Sequence, residues 1–195
     1  PVRFISNRSS GKQGYEIAKS FRDNGFETTL ISGPTNLDPI SGLNFIKVET
    51  TQEMLNQTIK NLPVDVAIFS AAVADFKVSD YKNEKIKKKE NFNLALEKNI
   101  DILNNISKHN LLRPKLTIGF AAETNYVVDN SLKKLEEKNC DWIIANDVSD
   151  NSIGFDSDDN QISIFYKDKK SENLKKMSKS LVASEIVNRV IENLN

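Results

Sequence analysis

The stretch that decides the fold stands at the start of the chain, where an apolar residue leads through small, polar ones into a helical pattern. It reads Ile5-Ser6-Asn7-Arg8-Ser9-Ser10-Gly11-Lys12-Gln13-Gly14 and continues as Tyr15-Glu16-Ile17-Ala18-Lys19-Ser20-Phe21. Backbone N–H groups at a helix start have no intrahelical partner, and the helix dipole favours negative charge, so the run is typical of an anion site. A plain serine-capped helix start explains the same residues equally well.

The opening run matches neither of two common nucleotide-binding motifs. Gly11-Lys12 is followed by Gln13 where a P-loop has Ser or Thr, and no glycine stands five residues before Gly11. The dinucleotide motif GxGxxG is also absent, because the run contains only Gly11 and Gly14. Any anion bound here is therefore held in another way.

Composition restricts the classes of function. The chain has 195 residues, enough for one large domain, and its 27 basic and 27 acidic residues give no net charge. That balance argues against general nucleic-acid or membrane binding. The single cysteine, Cys140, excludes an intrachain disulfide and fits a cytoplasmic protein, and the single histidine, His109, makes a Ser-His-Asp triad improbable. Because residue 1 is proline, we expect a piece of a longer protein.

Strand-like and helix-like segments alternate, which predicts an α/β fold with a Rossmann-like, doubly wound and mostly parallel sheet. The predicted strands are Glu27–Ser32, Asn44–Val48, Val64–Ser70, Lys115–Phe120, Trp142–Ala145 and Gln161–Tyr166, the last as an edge or half-exposed strand. The predicted helices are Gly11–Asn24, closed by Asn24-Gly25, and Gln52–Asn61, Asp101–Lys108, Tyr126–Lys138 and Ser180–Leu194.

One segment, Asp75–Ile100, has no clean period. Its lysines crowd together at Lys82, Lys85, Lys87, Lys88 and Lys89. A solvated loop explains them, but a long loop inside a compact domain is also where functional lids occur. A lysine-rich lid would suit a polyphosphate ligand.

Small, polar or acidic residues follow four of the predicted strands. The endings are Ser32-Gly33-Pro34, Ser70-Ala71-Ala72-Val73-Ala74-Asp75, Gly119-Phe120-Ala121-Ala122-Glu123-Thr124 and Ala145-Asn146-Asp147. Ligands of open parallel sheets bind beyond the carboxyl ends of the strands. Helix capping is the alternative for each carboxylate, and solvation is the alternative for Lys133, Lys134 and Lys138 on the following helix. Taken together with the lysine-rich loop, the endings indicate a ligand that carries phosphate.

Six ordered blocks resemble one family, the phosphopantothenate–cysteine ligases (phosphopantothenoylcysteine synthetases), which form the ligase domain of bacterial bifunctional coenzyme A biosynthesis proteins. The blocks are Asn7–Gly14, Ser32-Gly33-Pro34, Ala71–Phe76, Lys85-Ile86-Lys87-Lys88, Gly119–Thr124 and Ala145–Val148, and Gly154-Phe155 and Ser157–Asn160 also fit. The resemblance covers residues 1–195. Each block is weak alone, but six in order are specific.

The resemblance implies a reaction in two steps. The carboxylate of 4′-phosphopantothenate attacks the α-phosphorus of CTP, which gives an acyl-cytidylate and pyrophosphate. The amine of L-cysteine then attacks the acyl group and releases CMP. Positioning and electrostatic stabilisation suffice for such chemistry, which suits a chain with one histidine and one cysteine. The choice of CTP over ATP rests on the resemblance alone.

The resemblance also implies roles for particular residues. Asn7 would orient the acyl-cytidylate and promote cysteine attack, and Lys85 would contact the phosphates during activation. The implied nucleotide-binding residues are Ala71, Ala72, Val73, Asp75, Lys85, Ile100, Asp101, Ile102, Leu103, Phe120, Lys134 and Lys138. The implied substrate- or phosphate-binding residues are Ser9, Ser10, Gly11 and Asn146. Metal ligands stay unassigned.

The expected partners follow from the same family. Mg²⁺ would accompany CTP, a homodimer is expected with the Lys85 loop as a clasp near its interface, and no flavin is expected here. A flavin-dependent phosphopantothenoylcysteine decarboxylase domain is fused to many relatives. Relatives also begin with a strand and a Gly-rich turn ahead of the residues that match Pro1-Val2-Arg3, and many have proline where this chain has Ile100. We therefore expect a ligase domain that lacks its first strand and turn.

Two other classes of function compete. A dinucleotide-dependent reductase often uses a doubly wound sheet, but this sequence has no GxGxxG after a strand. A non-catalytic module would bind an acidic partner or RNA through Lys82–Lys89, but that run has no aromatic residue for stacking.

Overall fold

The structure is a computed structural model, and it describes residues 5–7, 9–80, 84, 93–123, 125–147 and 158–194. It has an α/β fold. The helices are α1 (Lys12–Asp23), α2 (Thr51–Lys60), α3 (Ile102–Ser107), α4 (Val127–Lys138) and α5 (Lys179–Leu194). The strands are β1 (Thr29–Ser32), β2 (Asn44–Lys47), β3 (Val66–Phe69), β4 (Phe76–Val78), β5 (Leu96–Lys98), β6 (Leu116–Glu123), β7 (Trp142–Asp147), β8 (Asp159–Asn160), β9 (Ile162–Tyr166), β10 (Ser171–Asn173) and β11 (Met177–Ser178).

The central sheet has the strand order β10-β9-β7-β6-β3. Strands β3, β6 and β7 are parallel, whereas β9 and β10 continue the sheet in antiparallel pairing. The apolar runs of β6 and β7 are buried on both faces, as central parallel strands require. The predicted α/β class and the parallel centre of the sheet are confirmed.

Helices cover both faces of this sheet, so it is doubly wound. On one face, α1 and α5 pack on Ile118, Ile144 and Ile164, all of them fully buried. On the other face, α3 and α4 cover Ala121 and Ile143. Each fully buried isoleucine contributes about 2 kcal/mol by leaving water, so the larger cluster under α5 dominates the core.

Strands β1 and β2 form a separate parallel pair, with Thr29 opposite Asn44. They pack on the side of α1 that carries Tyr15 and Ala18. Helix α1 is closed by Asn24-Gly25 as predicted, because Gly25 has the left-handed φ of 83° and its N–H donates to the carbonyl of Arg22. These local predictions depend on short-range patterns and are confirmed.

The structure differs from the predicted strands in one placement and in strands that were not predicted. Gln161–Tyr166 was expected at the edge or half exposed, but β9 lies between β7 and β10 and is largely buried. The edge strand β10 follows the polar turn at 167–170 and is exposed throughout, so it has no apolar pattern to reveal it. In the irregular segment Asp75–Ile100, β4 and β5 pair as a hairpin whose members lie about twenty residues apart in sequence, beyond the reach of local periodicity.

One arginine ties four elements together at the amino end of β6 and β7. Arg113 donates to both carboxylate oxygens of Asp141 at 2.9 Å and to the carbonyl oxygens of Ser107 and Asn139, which end α3 and α4. Asp141 also accepts from the N–H and the hydroxyl of Thr117. A cation is favourable at two helix carboxyl termini, and the side chains of Arg113 and Asp141 are mostly buried, at 26% and 18% exposed. Within the described residues, no helix is both long and apolar enough to span a bilayer.

Candidate functional site at the carboxyl end of the sheet

The start of α1 lies against the carboxyl end of β3. A Cβ atom on Gly14 would stand 2.8 Å from the hydroxyl of Ser70, so a larger residue at this position would force that hydroxyl to move. Gly11 caps the helix with φ 75°, and the hydroxyls of Ser9 and Ser10 accept from the N–H groups of Gly11 and Lys12 at 3.4 and 3.5 Å. The serines thus bend the backbone into the helix, and the amino end of α1 faces the strand ending.

Asn7 reaches the segment after β3. Its side-chain amide donates to the carbonyl of Val73 at 3.2 Å, across 66 residues of sequence. Val73 is half-buried, while Ala71 and Asp75 are exposed. The structure therefore brings together the opening run and the predicted nucleotide-binding segment. Lys85 and Arg8 lie outside the described residues.

Asn99 is a residue of this site that sequence reasoning missed. Its amide donates to the carbonyl of Ala74 and to the hydroxyl of Thr51, both at 2.9 Å, and its N–H donates to the carbonyl of Asp75. Its side-chain oxygen accepts from the N–H of Ile100. One amide thereby fixes the end of β3 against α2 and the start of α3. The only signal in the sequence was that an asparagine directly precedes the predicted start of α3. That signal does not indicate that its partners are Thr51 and Ala74.

The start of α3 presents its backbone rather than its apolar side chains. Asp101 caps the helix by accepting from the N–H of Asn104 at 2.9 Å. Ile102 is buried against α2, and Leu103 fills the space above Gly119, where a Cβ atom would stand 2.5 Å from it. A ligand can therefore contact backbone groups of Ile100, Ile102 and Leu103 at this turn.

Lys134 is bound to a buried carboxylate at the end of β6. Its Nζ lies 2.5 Å from one oxygen of Glu123, and the amide of Asn130 donates to the other oxygen at 3.1 Å. Only 11% of the Glu123 side chain is exposed, against 41% of the Lys134 side chain. Helix capping, the alternative considered for Glu123, is not its role here.

Lys138, one turn further along α4, is bound to the helix cap of α3. Its Nζ contacts Oδ2 of Asp101, while Oδ1 of the same carboxylate caps the helix. Lys134 and Lys138 share a face of α4, and each is paired with one carboxylate, Lys134 at the end of β6 and Lys138 at the start of α3.

Asn146 and Phe120 complete the predicted set. Phe120 is half-buried and packs on the core beside Ile144. The side-chain oxygen of Asn146, near the end of β7, is buried without a hydrogen-bond partner among the residues described. Buried polar atoms are normally satisfied, so this acceptor is suited to a donor on a ligand.

A strained residue also stands at this end of the sheet and was not singled out from the sequence. Tyr126 precedes α4 in the left-handed region with φ 51°, and 80% of it is exposed. Such a conformation is unfavourable for an aromatic residue, and strained residues cluster at functional sites. The left-handed Asn139 at the other end of α4 is a residue that tolerates this conformation well.

Lys12 turns away from the predicted phosphate site. It forms an ion pair with Asp158 at 2.5 Å, and this hydrogen bond lowers the pKa of the Asp158 carboxyl group. The neighbouring Gln13 donates to the carbonyl of Lys179 and accepts from Asn160. Lys12 and Gln13 therefore connect α1 with the β8–β11 region.

The described residues contain no group of three or more His, Cys, Asp or Glu side chains close enough to hold a metal ion. The carboxylates here act singly, since Glu123 and Asp101 are each paired with a lysine and Asp75 stands apart, exposed. Such a set fits an ion that arrives with substrate phosphates and takes few protein ligands.

These features define a doubly wound α/β domain with a candidate ligand site at the carboxyl edge of its sheet. Its structure is similar to that of the C-terminal domain of the coenzyme A biosynthesis bifunctional protein CoaBC, with a TM-score of 0.81 and 36% identity over 100% of this chain and 88% of that one. The same fold occurs in a Cab2 mutant in complex with phosphopantothenate-cysteine, with a TM-score of 0.70 and 16% identity over 100% of this chain and 83% of that one.

The sequence comparisons agree. The chain is 42% identical over 197 residues to the coenzyme A biosynthesis bifunctional protein CoaBC of Haemophilus influenzae, covering 98% of this chain and 48% of that protein. The family model of the DNA/pantothenate metabolism flavoprotein C-terminal domain matches residues 1–194, and the chain belongs to this family. It spans about half the length of the curated relatives it matches.

Proposed function

We propose that this domain ligates L-cysteine to 4′-phosphopantothenate in coenzyme A biosynthesis, with CTP as the activating nucleotide. The observation that carries the proposal is the hydrogen bond from Asn7 to the carbonyl of Val73, which joins the opening run to the segment after β3. Membership of the family and the name of the H. influenzae relative support the pathway. The phosphopantothenate-cysteine in the Cab2 complex supports the product.

Activation of the carboxylate is the first step of the proposed reaction. The phosphopantothenate carboxylate attacks the α-phosphorus of CTP, the bond from that phosphorus to the bridging oxygen breaks, and pyrophosphate leaves. Lys134 and Lys138, which share a face of α4, are the proposed contacts of the departing pyrophosphate, and Lys85 is the proposed third cation. Cations aimed at developing phosphate charge are a large source of such catalysis.

Attack by cysteine is the second step. The cysteine amine adds to the acyl carbon, the bond from that carbon to the cytidylate oxygen breaks, and the amine proton leaves with CMP or solvent. Asn7 has one amide hydrogen engaged by Val73, which orients its oxygen and its second N–H toward a ligand. Asn146 supplies a buried acceptor for a substrate N–H. These groups hold the reactants in line rather than react themselves.

Mg²⁺ is part of the proposal as the ion that neutralises triphosphate charge. The single exposed carboxylate of Asp75 fits one contact to such an ion, with the phosphates supplying the others. A homodimer, fusion to a flavin-dependent decarboxylase domain and the absence of flavin from this domain belong to the proposal as well.

The test mixes the full-length protein with Mg²⁺, CTP, phosphopantothenate and cysteine and follows both pyrophosphate and the cysteine adduct. We expect Lys85→Gln to lower pyrophosphate formation about 100-fold, because a phosphate contact is lost in the transition state. Asn7→Asp cannot donate to Val73 and adds negative charge, so pyrophosphate should form in one burst without adduct. Lys115→Gln, at an exposed pair on the opposite end of the sheet, is the matched control.

Several results would contradict this function. Pyrophosphate release with ATP but not with CTP would contradict the proposed nucleotide, while the proposed ligase activity would stand. Arrest of both variants at the same step would contradict the separate roles proposed for Lys85 in activation and for Asn7 in cysteine attack. A tight complex with NADPH, with no pyrophosphate from CTP, would favour the reductase class.

A further inference from the structure

We propose that Glu123 and Asp101 are positioning residues that keep Lys134 and Lys138 as neutral ion pairs in the empty site. Each lysine exchanges its carboxylate for a phosphate oxygen when a triphosphate or pyrophosphate binds. The inference rests on the proposed function, because it takes the α4 lysines as the phosphate contacts. It adds that two carboxylates set how tightly phosphate is held.

Each carboxylate keeps a second partner when its lysine leaves. Glu123 still accepts from the amide of Asn130 at 3.1 Å, and Asp101 still accepts from the N–H of Asn104 at 2.9 Å. Leaving a buried charge without any partner is strongly unfavourable. Because both carboxylates retain a donor, departure of the lysines does not leave such a charge.

The lysines are the members of each pair that can move. The Lys134 side chain is 41% exposed while that of Glu123 is 11% exposed. In the second pair Lys138 is 31% and Asp101 36% exposed, but Asp101 is held in place by the hydrogen bond from the N–H of Asn104 that caps α3. Among the described residues, each ammonium group has only its own carboxylate as a partner. A lysine on a flexible four-carbon stem can redirect its donors at little cost, whereas the carboxylates are fixed by their elements.

This arrangement makes phosphate binding an exchange rather than a simple gain. The ligand must displace a carboxylate from each lysine, and the displaced carboxylates then face the phosphates as like charges. Pyrophosphate is therefore held less tightly than free lysines would hold it, which favours its release after the first step. Removing either carboxylate charge should strengthen anion binding, whereas a purely structural role predicts unchanged or weaker binding.

The experiment measures pyrophosphate and CTP binding to the full-length protein by titration calorimetry in Mg²⁺ buffer. Glu123→Gln keeps an oxygen for Asn130, and Asp101→Asn keeps the ability to cap α3. We expect each variant to bind pyrophosphate about three- to tenfold more tightly, because a competing charge next to the lysine is gone. Asp101→Asn carries the test if Glu123→Gln does not fold.

Two controls separate release of a lysine from a general change in charge. Glu137→Gln removes a carboxylate from the same helix, where it pairs with Lys133 at 3.8 Å and both side chains are exposed, and it should leave the affinity unchanged. In a Lys134→Met background, Glu123→Gln should no longer tighten binding, since no lysine is left to release.

Equal or weaker pyrophosphate binding by both variants overturns the inference, and so does the same tightening in the Lys134→Met background or in Glu137→Gln. If the unaltered protein binds pyrophosphate and CTP while the variants do not bind more tightly, only this inference fails. If the unaltered protein binds neither, the proposed function fails together with it.

Discussion

The two ends of β6 and β7 carry charged pairs of the same kinds in different surroundings. At the amino end, Arg113 is bonded to Asp141 and to the carbonyl groups that end two helices. At the carboxyl end, Lys134 has a single carboxylate partner and 41% of its side chain is exposed. In the first arrangement all three guanidinium nitrogens donate hydrogen bonds, while in the second the ammonium group has one partner among the described residues.

The difference teaches where this fold is closed and where it can respond to a ligand. The amino end satisfies its charges internally, and Cys140 lies fully buried beside it. The carboxyl end holds the partly exposed Lys134 and the strained Tyr126, and the side-chain oxygen of Asn146 has no hydrogen-bond partner there among the described residues. We therefore expect stability to depend on the amino end, and binding to depend on the carboxyl end.

The largest effect should come from breaking the amino-end network. Arg113→Met leaves the Asp141 carboxylate, whose side chain is 18% exposed, without its main counter-charge and frees two helix-terminal carbonyl groups. We expect the free energy of unfolding to fall by about 3 kcal/mol, measured by urea denaturation followed by circular dichroism.

The matching substitution at the carboxyl end is Lys134→Met, and its effect on stability can be compared with that of Arg113→Met. Lys134→Met should cost about 1 kcal/mol or less, because Lys134 is partly exposed and Glu123 keeps Asn130. Equal losses for the Arg113 and Lys134 variants would mean that the two ends do not differ as described.

A second prediction concerns the pH dependence of stability. Burial raises the pKa of the Cys140 thiol from 9.0 to about 11. Between these values the unfolded chain loses the thiol proton while the folded protein keeps it, so stability falls as the pH rises, by about 2 kcal/mol from pH 8 to pH 10.5. Urea denaturation from pH 8 to 10.5 should give a steeper decline for the unaltered protein than for Cys140→Ala.

Other groups also titrate in this range, so the difference between the two proteins is the measured quantity. Parallel declines would show that water reaches Cys140 and that the amino end is less closed than the comparison holds.

The smallest expected effect is a gain in stability at the carboxyl end. Asn tolerates the left-handed conformation better than Tyr, and the ring of Tyr126 is 80% exposed, so little packing is lost. Tyr126→Asn should raise the free energy of unfolding by about 1 kcal/mol in urea denaturation. Tyr126→Phe keeps the strain and should change nothing, while a loss of stability in Tyr126→Asn would contradict strain at this residue.

Much of the fold could be predicted because its main signals are local. The apolar runs of β6 and β7 and the helical period of α1 depend on neighbouring residues only. The hairpin of β4 and β5 was not predicted, because its two strands lie far apart in sequence. The interior place of β9 was predicted wrongly, because its partner β10 is too polar to recognise as a strand.

The sequence predicted which residues belong to the candidate site, but not which of them contact one another. The sequence indicates that Asn7, Lys134 and Asp101 belong to one site through an ordered resemblance. It contains no signal that Asn99 joins three segments, because an amide has no periodic pattern. The roles carried over from the family, that of Lys85 included, stay predictions.

By itself, the sequence determined the α/β class, the order of the helices and of the buried central strands, and an opening run able to start a helix beside an anion. Only the tertiary structure decided that Asn7 meets Val73 and that the lysines of α4 meet Glu123 and Asp101. The physical reason is range: helices and buried strands arise from neighbours a few residues apart, whereas charges pair according to which distant elements the core brings together.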